Sequence, residues 1–190
     1  MTKLIGISGS LRRASFNTAL LRAAAELMPE GSELAIKTID GIPLYNADVE
    51  ARGIPESVTA LKDAVAVADG LILSTPEYNY SMPGVLKNAI DWLSRPDADI
   101  KRVFGGKPLA LMGATPGGFG TILSQAAWLP VLRTLGTKLW CEGRLLISRA
   151  PSIFDADGKL TNQTVIDQLQ RFVQQFTEFA RTSQRNSSQI

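Results

Sequence analysis

Lys3-Leu4-Ile5-Gly6-Ile7-Ser8 runs directly into Gly9-Ser10-Leu11-Arg12-Arg13-Ala14-Ser15-Phe16-Asn17-Thr18 and then into Ala19-Leu20-Leu21-Arg22-Ala23-Ala24-Ala25-Glu26-Leu27-Met28. The first segment is short, apolar and non-alternating, the pattern of a strand buried on both faces. In the third, Leu20, Ala24 and Leu27 fall on one helical face with Leu21, Ala25 and Met28 beside them, which predicts a helix over 17–28 ended by Pro29 and Gly31. A buried strand, a polar glycine-containing loop and an amphipathic helix make one unit of a parallel α/β sheet.

The same unit recurs along the chain. Strands are expected over 33–39, 70–74 and 108–113, and helices over 55–68, 83–93 and 121–135. Pro55 and Pro83 sit where a helix opens. Pro130 lies inside its helix and is expected to kink or interrupt it. Residues 40–53 and 95–107 read as connections, 137–148 as fifth-strand material broken near Glu142-Gly143, and 162–180 as a closing helix with Val165, Leu169, Phe172, Val173 and Phe176 on its buried stripe. Residues 1–181 therefore form one domain, with 182–190 a polar tail expected to fray. Right-handed crossovers fold such a chain into a doubly wound α/β sheet, whose ligands bind at the carboxyl ends of the strands.

Composition narrows the chemistry. The chain has 190 residues, no histidine and one cysteine, Cys141. Ser-His-Asp and Cys-His catalysis, His-ligated metals, cysteine clusters and internal disulfides are all excluded. Twenty Lys and Arg against eighteen Asp and Glu leave a formal charge of +2 with no dense basic run, which gives no footing for nucleic acid. The N-terminal apolar run is too short for a signal peptide, and no stretch is long enough to span a membrane. A cytoplasmic location follows as the expectation, in keeping with a single thiol. An enzyme of this composition relies on carboxylates, Lys or Tyr, or on a cofactor.

Three loops follow the first, third and fourth strands. In 9–18, Ser10, Ser15 and Thr18 carry hydroxyls, Asn17 an amide and Arg12 a guanidinium at a helix N-terminus, where free N–H groups and the dipole favour an anion. The same Ser15 or Asn17 could serve simply as the helix cap. The loop lacks the Gly-Lys-Ser/Thr ending of a triphosphate loop and the Gly-x-Gly-x-x-Gly spacing of a dinucleotide site, which leaves a terminal phosphate monoester. In 75–84, Pro76 and Pro83 stiffen a loop holding Glu77, Tyr78, Asn79 and Tyr80, suited to a flat aromatic ligand or to a turn whose tyrosines pack on neighbouring helices. Thr115-Pro116-Gly117-Gly118-Phe119-Gly120 reads as a tight turn or as backbone open to a ligand.

Gly9-Ser10-Leu11-Arg12 with Ser15 and Asn17, the run from Pro76 to Trp92 and the glycines at 117–118 together resemble the NAD(P)H-dependent FMN reductases, a flavodoxin-like group that includes quinone, chromate and azo-dye reductases. The resemblance covers about residues 3–135 and implies a five-stranded sheet of order 2-1-3-4-5 with bound FMN. It further implies NADPH or NADH as electron donor and a homodimer or homotetramer with the flavin near a subunit interface. Carried onto this chain, it gives the phosphate to Ser10, Arg12, Ser15, Asn17 and Thr18, and the isoalloxazine to Pro76, Glu77, Tyr78 and Asn79, with Thr115, Gly117 and Gly118 closing the site. The chain departs from the family at Thr121-Ile122, where many relatives carry a basic residue; Phe119 offers a stacking surface there instead. The implied reaction passes hydride from NAD(P)H through flavin N5 to a quinone, free flavin, azo compound or chromate, with no catalytic side chain and no metal. Tyr80 and Phe119 meet the incoming substrate, and Arg13 is expected to face solvent. The competing readings are a flavodoxin-type electron carrier without NAD(P)H oxidation and a non-flavin domain for another phosphate ester.

Overall fold

The computed structural model describes residues 1–187. In chain order it contains β1 (Thr2–Ser8), α1 (Phe16–Glu26), β2 (Ser32–Lys37), α2 (Ala47–Glu50), α3 (Glu56–Val67), β3 (Gly70–Ser74), α4 (Gly84–Leu93), α5 (Ile100–Val103), β4 (Pro108–Ala114), α6 (Ile122–Thr134), β5 (Lys138–Leu139), β6 (Leu145–Ile147) and α7 (Gln163–Ser187). The strands are parallel in the order β2-β1-β3-β4-β5. This is the flavodoxin-like α/β architecture. The fifth strand is broken, as Glu142-Gly143 suggested, and both halves pair with β4.

Alternate strand residues enter two cores. Leu4, Ile72, Ala110 and Met112 join α1 and α7 on one face, around Phe172, Phe176 and Trp140. Ile5, Ile7, Leu71, Leu73, Leu109 and Leu111 join α3, α4 and α6 on the other, around Trp92 and Trp128. Burial on both faces is why the strands read as continuous apolar runs.

The connections hold more structure than their composition suggested. Asn46 caps α2 by accepting from the Asp48 N–H at 2.8 Å. The stretch 95–107 hides α5, whose Val103, with Phe104 behind it, is fully buried, while Asp99 reaches Lys62 at 3.1 Å. α6 is not interrupted at Pro130, which removes the donor that the Ala126 carbonyl would otherwise meet. α7 carries the backbone on through Ser187, so the expected tail begins inside a helix; residues 188–190 lie outside the described residues.

The register aligns the carboxyl ends of the central strands. Ser8 stands beside Ser74, and Ser74 beside Met112. The pairing continues into the loops, since Gly9 N–H donates to the Ser74 carbonyl and Thr75 N–H to the Met112 carbonyl, each at 2.8 Å. All three candidate loops therefore leave the same edge from fixed points. Among the described residues no helix is long and apolar enough to cross a membrane, and no group of His, Cys, Asp or Glu side chains is placed to hold a metal.

Candidate cofactor site at the carboxyl edge of the sheet

The loop after β1 does two jobs at once. Ser15 caps α1, its Oγ accepting from Thr18 N–H at 3.3 Å, and its hydroxyl hydrogen remains available to donate. The first intrahelical bond runs from Ala19 N–H to the Ser15 carbonyl at 2.9 Å, so the N–H groups of Phe16 and Asn17 precede the helical ladder. Ser10 Oγ accepts from Arg12 N–H at 3.3 Å, and the Arg12 guanidinium lies 5.1 Å from the centre of the Phe16 ring.

Two residues expected at the phosphate have other partners for their side chains. Asn17 is buried, its Nδ2 donating to the Ala114 carbonyl at 2.9 Å while Oδ1 accepts from Ala114 N–H at 3.0 Å and from Ser74 Oγ at 3.1 Å. This amide ties α1 to the ends of β3 and β4, leaving its backbone N–H for a ligand. Thr18 Oγ1 donates to Ser8 Oγ at 2.9 Å.

The loop after β3 is held from beneath. Thr75 Oγ1 accepts from Trp128 Nε1 at 3.1 Å and lies 2.8 Å from Ser124 Oγ, in full burial. The Glu77 carboxylate accepts from the N–H groups of Leu123 at 2.9 Å and Ser124 at 3.1 Å, capping α6 with a negative charge at its positive end. Tyr78 and Ser81 exchange both backbone hydrogen bonds at 3.0 Å across Asn79 (φ 50°) and Tyr80 (φ 63°). That is the geometry of a two-residue hairpin turn of type I′, which asks for positive φ at both central positions. A tyrosine there is uncommon and strained. Tyr80 is 74% exposed, so it does not pack on a neighbouring helix.

The loop after β4 begins in a tight crossing. A Cβ on Gly113 would lie 2.2 Å from both the Thr75 carbonyl oxygen and Thr121 Oγ1. Thr115 N–H donates to the Ile147 carbonyl at 2.9 Å, and Arg149 N–H to the Gly117 carbonyl at 2.9 Å. Beyond that the loop stands free: a Cβ on Gly118 would meet nothing within 4 Å, and Phe119 is 77% exposed.

These loops enclose a cavity of about 230 Å³. It is lined by Ser10, Arg12, Ser15, Asn17, Pro76, Glu77, Tyr78 and Thr115 from the expected set, together with Phe16, Ala114 and Pro116. Thr18, Asn79, Gly117 and Gly118 do not line it, and Tyr80 and Phe119 project from the two loops beside it. The donors fit FMN: one guanidinium, two serine hydroxyls and uncommitted helix N–H groups at the phosphate end, with two backbone walls to take a flat ring. Phe16, which carries Arg12, escaped the sequence reading. So did the buried polar layer of Ser8, Ser74, Thr75 and Ser124 beneath the site. Its one available signal was that β1 and β3 each end on a serine.

A family model described as NADPH-dependent FMN reductase matches residues 2–151. The chain belongs to this family. It is 44% identical over 172 residues to an NAD(P)H-dependent FMN reductase of Pseudomonas aeruginosa, with 90% of this chain and 91% of that protein covered. It is 40% identical to a 2-hydroxy-1,4-benzoquinone reductase of a Burkholderia species, covering 94% of this chain and 96% of the relative. Among solved structures, the flavoenzyme NAD(P)H:(acceptor) oxidoreductase of Paracoccus denitrificans superposes with a TM-score of 0.86 at 34% identity, over 96% of this chain and 99% of that one. This FMN reductase family member is thus an NAD(P)H-dependent, FMN-containing oxidoreductase, and the electron-carrier reading gives way.

Proposed function

We propose that this reductase holds FMN in the cavity at the sheet edge and delivers electrons to a small quinone, in a single domain that includes all of α7. The observation that carries this reading is the convergence of Arg12, Ser10, Ser15 and the α1 N-terminus at one end of a cavity whose other walls are the loops after β3 and β4. Bound FMN supplies the two-electron chemistry, taking hydride from NAD(P)H and passing it to the acceptor. The protein's part is binding and orientation. Within Glu77 to Asn79 the Tyr78 N–H is spent on the Ser81 carbonyl, so the N–H groups of Glu77 and Asn79 would set the edge of the ring, with Thr18 behind the phosphate loop keeping Ser8 in place. Gly118, whose backbone stands open beside the cavity, would offer its N–H to negative charge on the bound ring, while Gly117, its N–H leaning on Thr115 Oγ1 at 3.4 Å, would hold the turn. Tyr80 and Phe119 guide the substrate, and their exposure supports that role.

A quinone is favoured over azo compounds and chromate because several relatives that share most of this chain's length are named as quinone reductases, and free flavin stands beside it as the acceptor that the FMN reductase relative suggests. Exposed Val85, Ile122, Leu123 and Leu129 on α4 and α6, next to the site, favour a homodimer or homotetramer that covers them. A cytoplasmic location suits a protein that draws on NAD(P)H and carries one unpaired thiol.

The test is an absorption spectrum of the purified protein, followed by NAD(P)H oxidation with and without benzoquinone. Flavin bands and quinone-stimulated oxidation are expected; no flavin, even after FMN is added, ends the reading. Titrating apo-protein with FMN should show Arg12→Ala weakening binding by about 1.5–3 kcal/mol, the scale of hydrogen bonds to charged groups.

A further inference from the structure

A second cleft opens on the other side of the Arg12–Phe16 pair. Its volume is about 450 Å³, and it lies between the first turns of α1 and the loop leading to α7. Arg12, Arg13 and Arg22 reach it, and none of the three forms an ion pair among the described residues. Its floor includes the half-buried Phe16 ring, which carries Arg12 and is backed by the buried Phe154 at 5.6 Å between centroids. Two carboxylates border it. Asp155 is occupied within its own turn, its Oδ1 accepting from the N–H groups of Asp157 at 3.0 Å and Lys159 at 2.8 Å. Asp157 remains on the rim.

Cations at the mouth, an apolar ring-sized floor and one acceptor at the edge make a site for a phosphorylated nucleoside. Guanidinium groups bind a phosphate monoester through paired N–H donors, and they also stack on flat rings. Arg12 and Phe16 border both cavities, so a ligand here lies against the phosphate end of the cofactor site.

We infer that this cleft holds the 2′-phosphoadenosine end of NADPH. Arg13 and Arg22 take the 2′-phosphate, the adenine lies against the exposed part of Phe16, and Asp157 accepts from a ribose hydroxyl or the adenine amino group. The inference rests on the FMN site proposed above, because the two cavities share a wall. Its consequence is a preference for NADPH over NADH, since the two donors differ only in that phosphate.

The experiment measures binding of 2′,5′-ADP and 5′-AMP, which differ only in the 2′-phosphate, to the purified holoprotein by titration calorimetry at low salt. Roughly tenfold or greater preference for 2′,5′-ADP is expected, the scale of one charge-assisted hydrogen bond. Arg22→Ala and Arg13→Ala should each remove most of that preference and raise KM for NADPH about as much, while KM for NADH stays unchanged. Arg22→Lys should restore part of it. Equal affinity of the wild-type protein for the two nucleotides overturns the proposal, as does an equal loss for NADH. Weaker FMN binding by Arg22→Ala apo-protein also overturns it, by giving the cleft to the flavin phosphate. Flavin content and NADH oxidation are read on the same samples. Their loss in wild-type protein would break the FMN reading instead.

Discussion

The two walls of the cofactor site are built on opposite plans. The wall after β1 and β3 is cross-braced by buried side chains: Asn17 spans to Ala114 and Ser74, Thr75 to Trp128 and Ser124, and Glu77 to the start of α6. The wall after β4 is anchored at Thr115 and Gly117 and then stands unsupported through Gly118 and Phe119. A braced wall holds donors in place before a ligand arrives, which spares the ordering cost on binding. An unsupported wall can adapt to a second substrate. One side of the site is therefore built for a resident group and the other for a passing one.

The strongest way to break this contrast is to push the walls apart where they cross. Gly113→Ala puts a methyl against the Thr75 carbonyl, a backbone atom that cannot step aside. Destabilisation of about 3 kcal/mol or more is expected, at the upper end of overpacking costs, read as a fall in the urea midpoint. Wild-type stability for this variant would mean the crossing is looser than drawn.

Asn17→Ala removes the central brace and strands the N–H and carbonyl of Ala114 in a buried setting. A loss of about 2–3 kcal/mol is expected, the cost of unpaired buried polar groups. FMN affinity should fall with it, because the phosphate loop loses its tie to the sheet. A drop in FMN affinity at full stability would make the Asn17 side chain a ligand contact rather than a brace.

Glu77→Ala should cost about 1 kcal/mol through the lost α6 cap, and Glu77→Gln less, because an amide oxygen can still accept from Leu123 and Ser124. Thermal melts of the two variants sharpen the comparison, since equal losses would trace the effect to charge alone.

The smallest effect belongs to the open wall. Gly118→Ala meets no neighbour, and restricting the unfolded chain should leave stability unchanged or raised by at most about 1 kcal/mol. A clear loss in denaturant unfolding would show that this loop is as constrained as its counterpart.

Much of this was legible in the residues. Leu71-Ile72-Leu73 announced a fully buried strand, and Glu142-Gly143 marked the break in the last one. Ser10, Arg12 and Ser15 were picked out by their place at a helix N-terminus and do line the cavity. What stayed hidden was the direction of each polar side chain. Asn17 and Thr18 look in sequence like further phosphate donors, yet their side chains turn to Ala114 and Ser8. Arg13 is exposed, as expected, but it shares a cleft with Arg22, nine positions further along the chain.

The physical reason is range. Strand and helix identity come from patterns a few residues long, set by pleat and helical pitch, so the sequence by itself determined the βα repeat, the sheet class and the three loops at its edge. A hydrogen bond such as Asn17 to Ala114 joins residues 97 positions apart, and nothing local specifies it. Only the parallel register, which brings Ser8, Ser74 and Met112 level, decided which side chains brace the site and which are left facing a ligand.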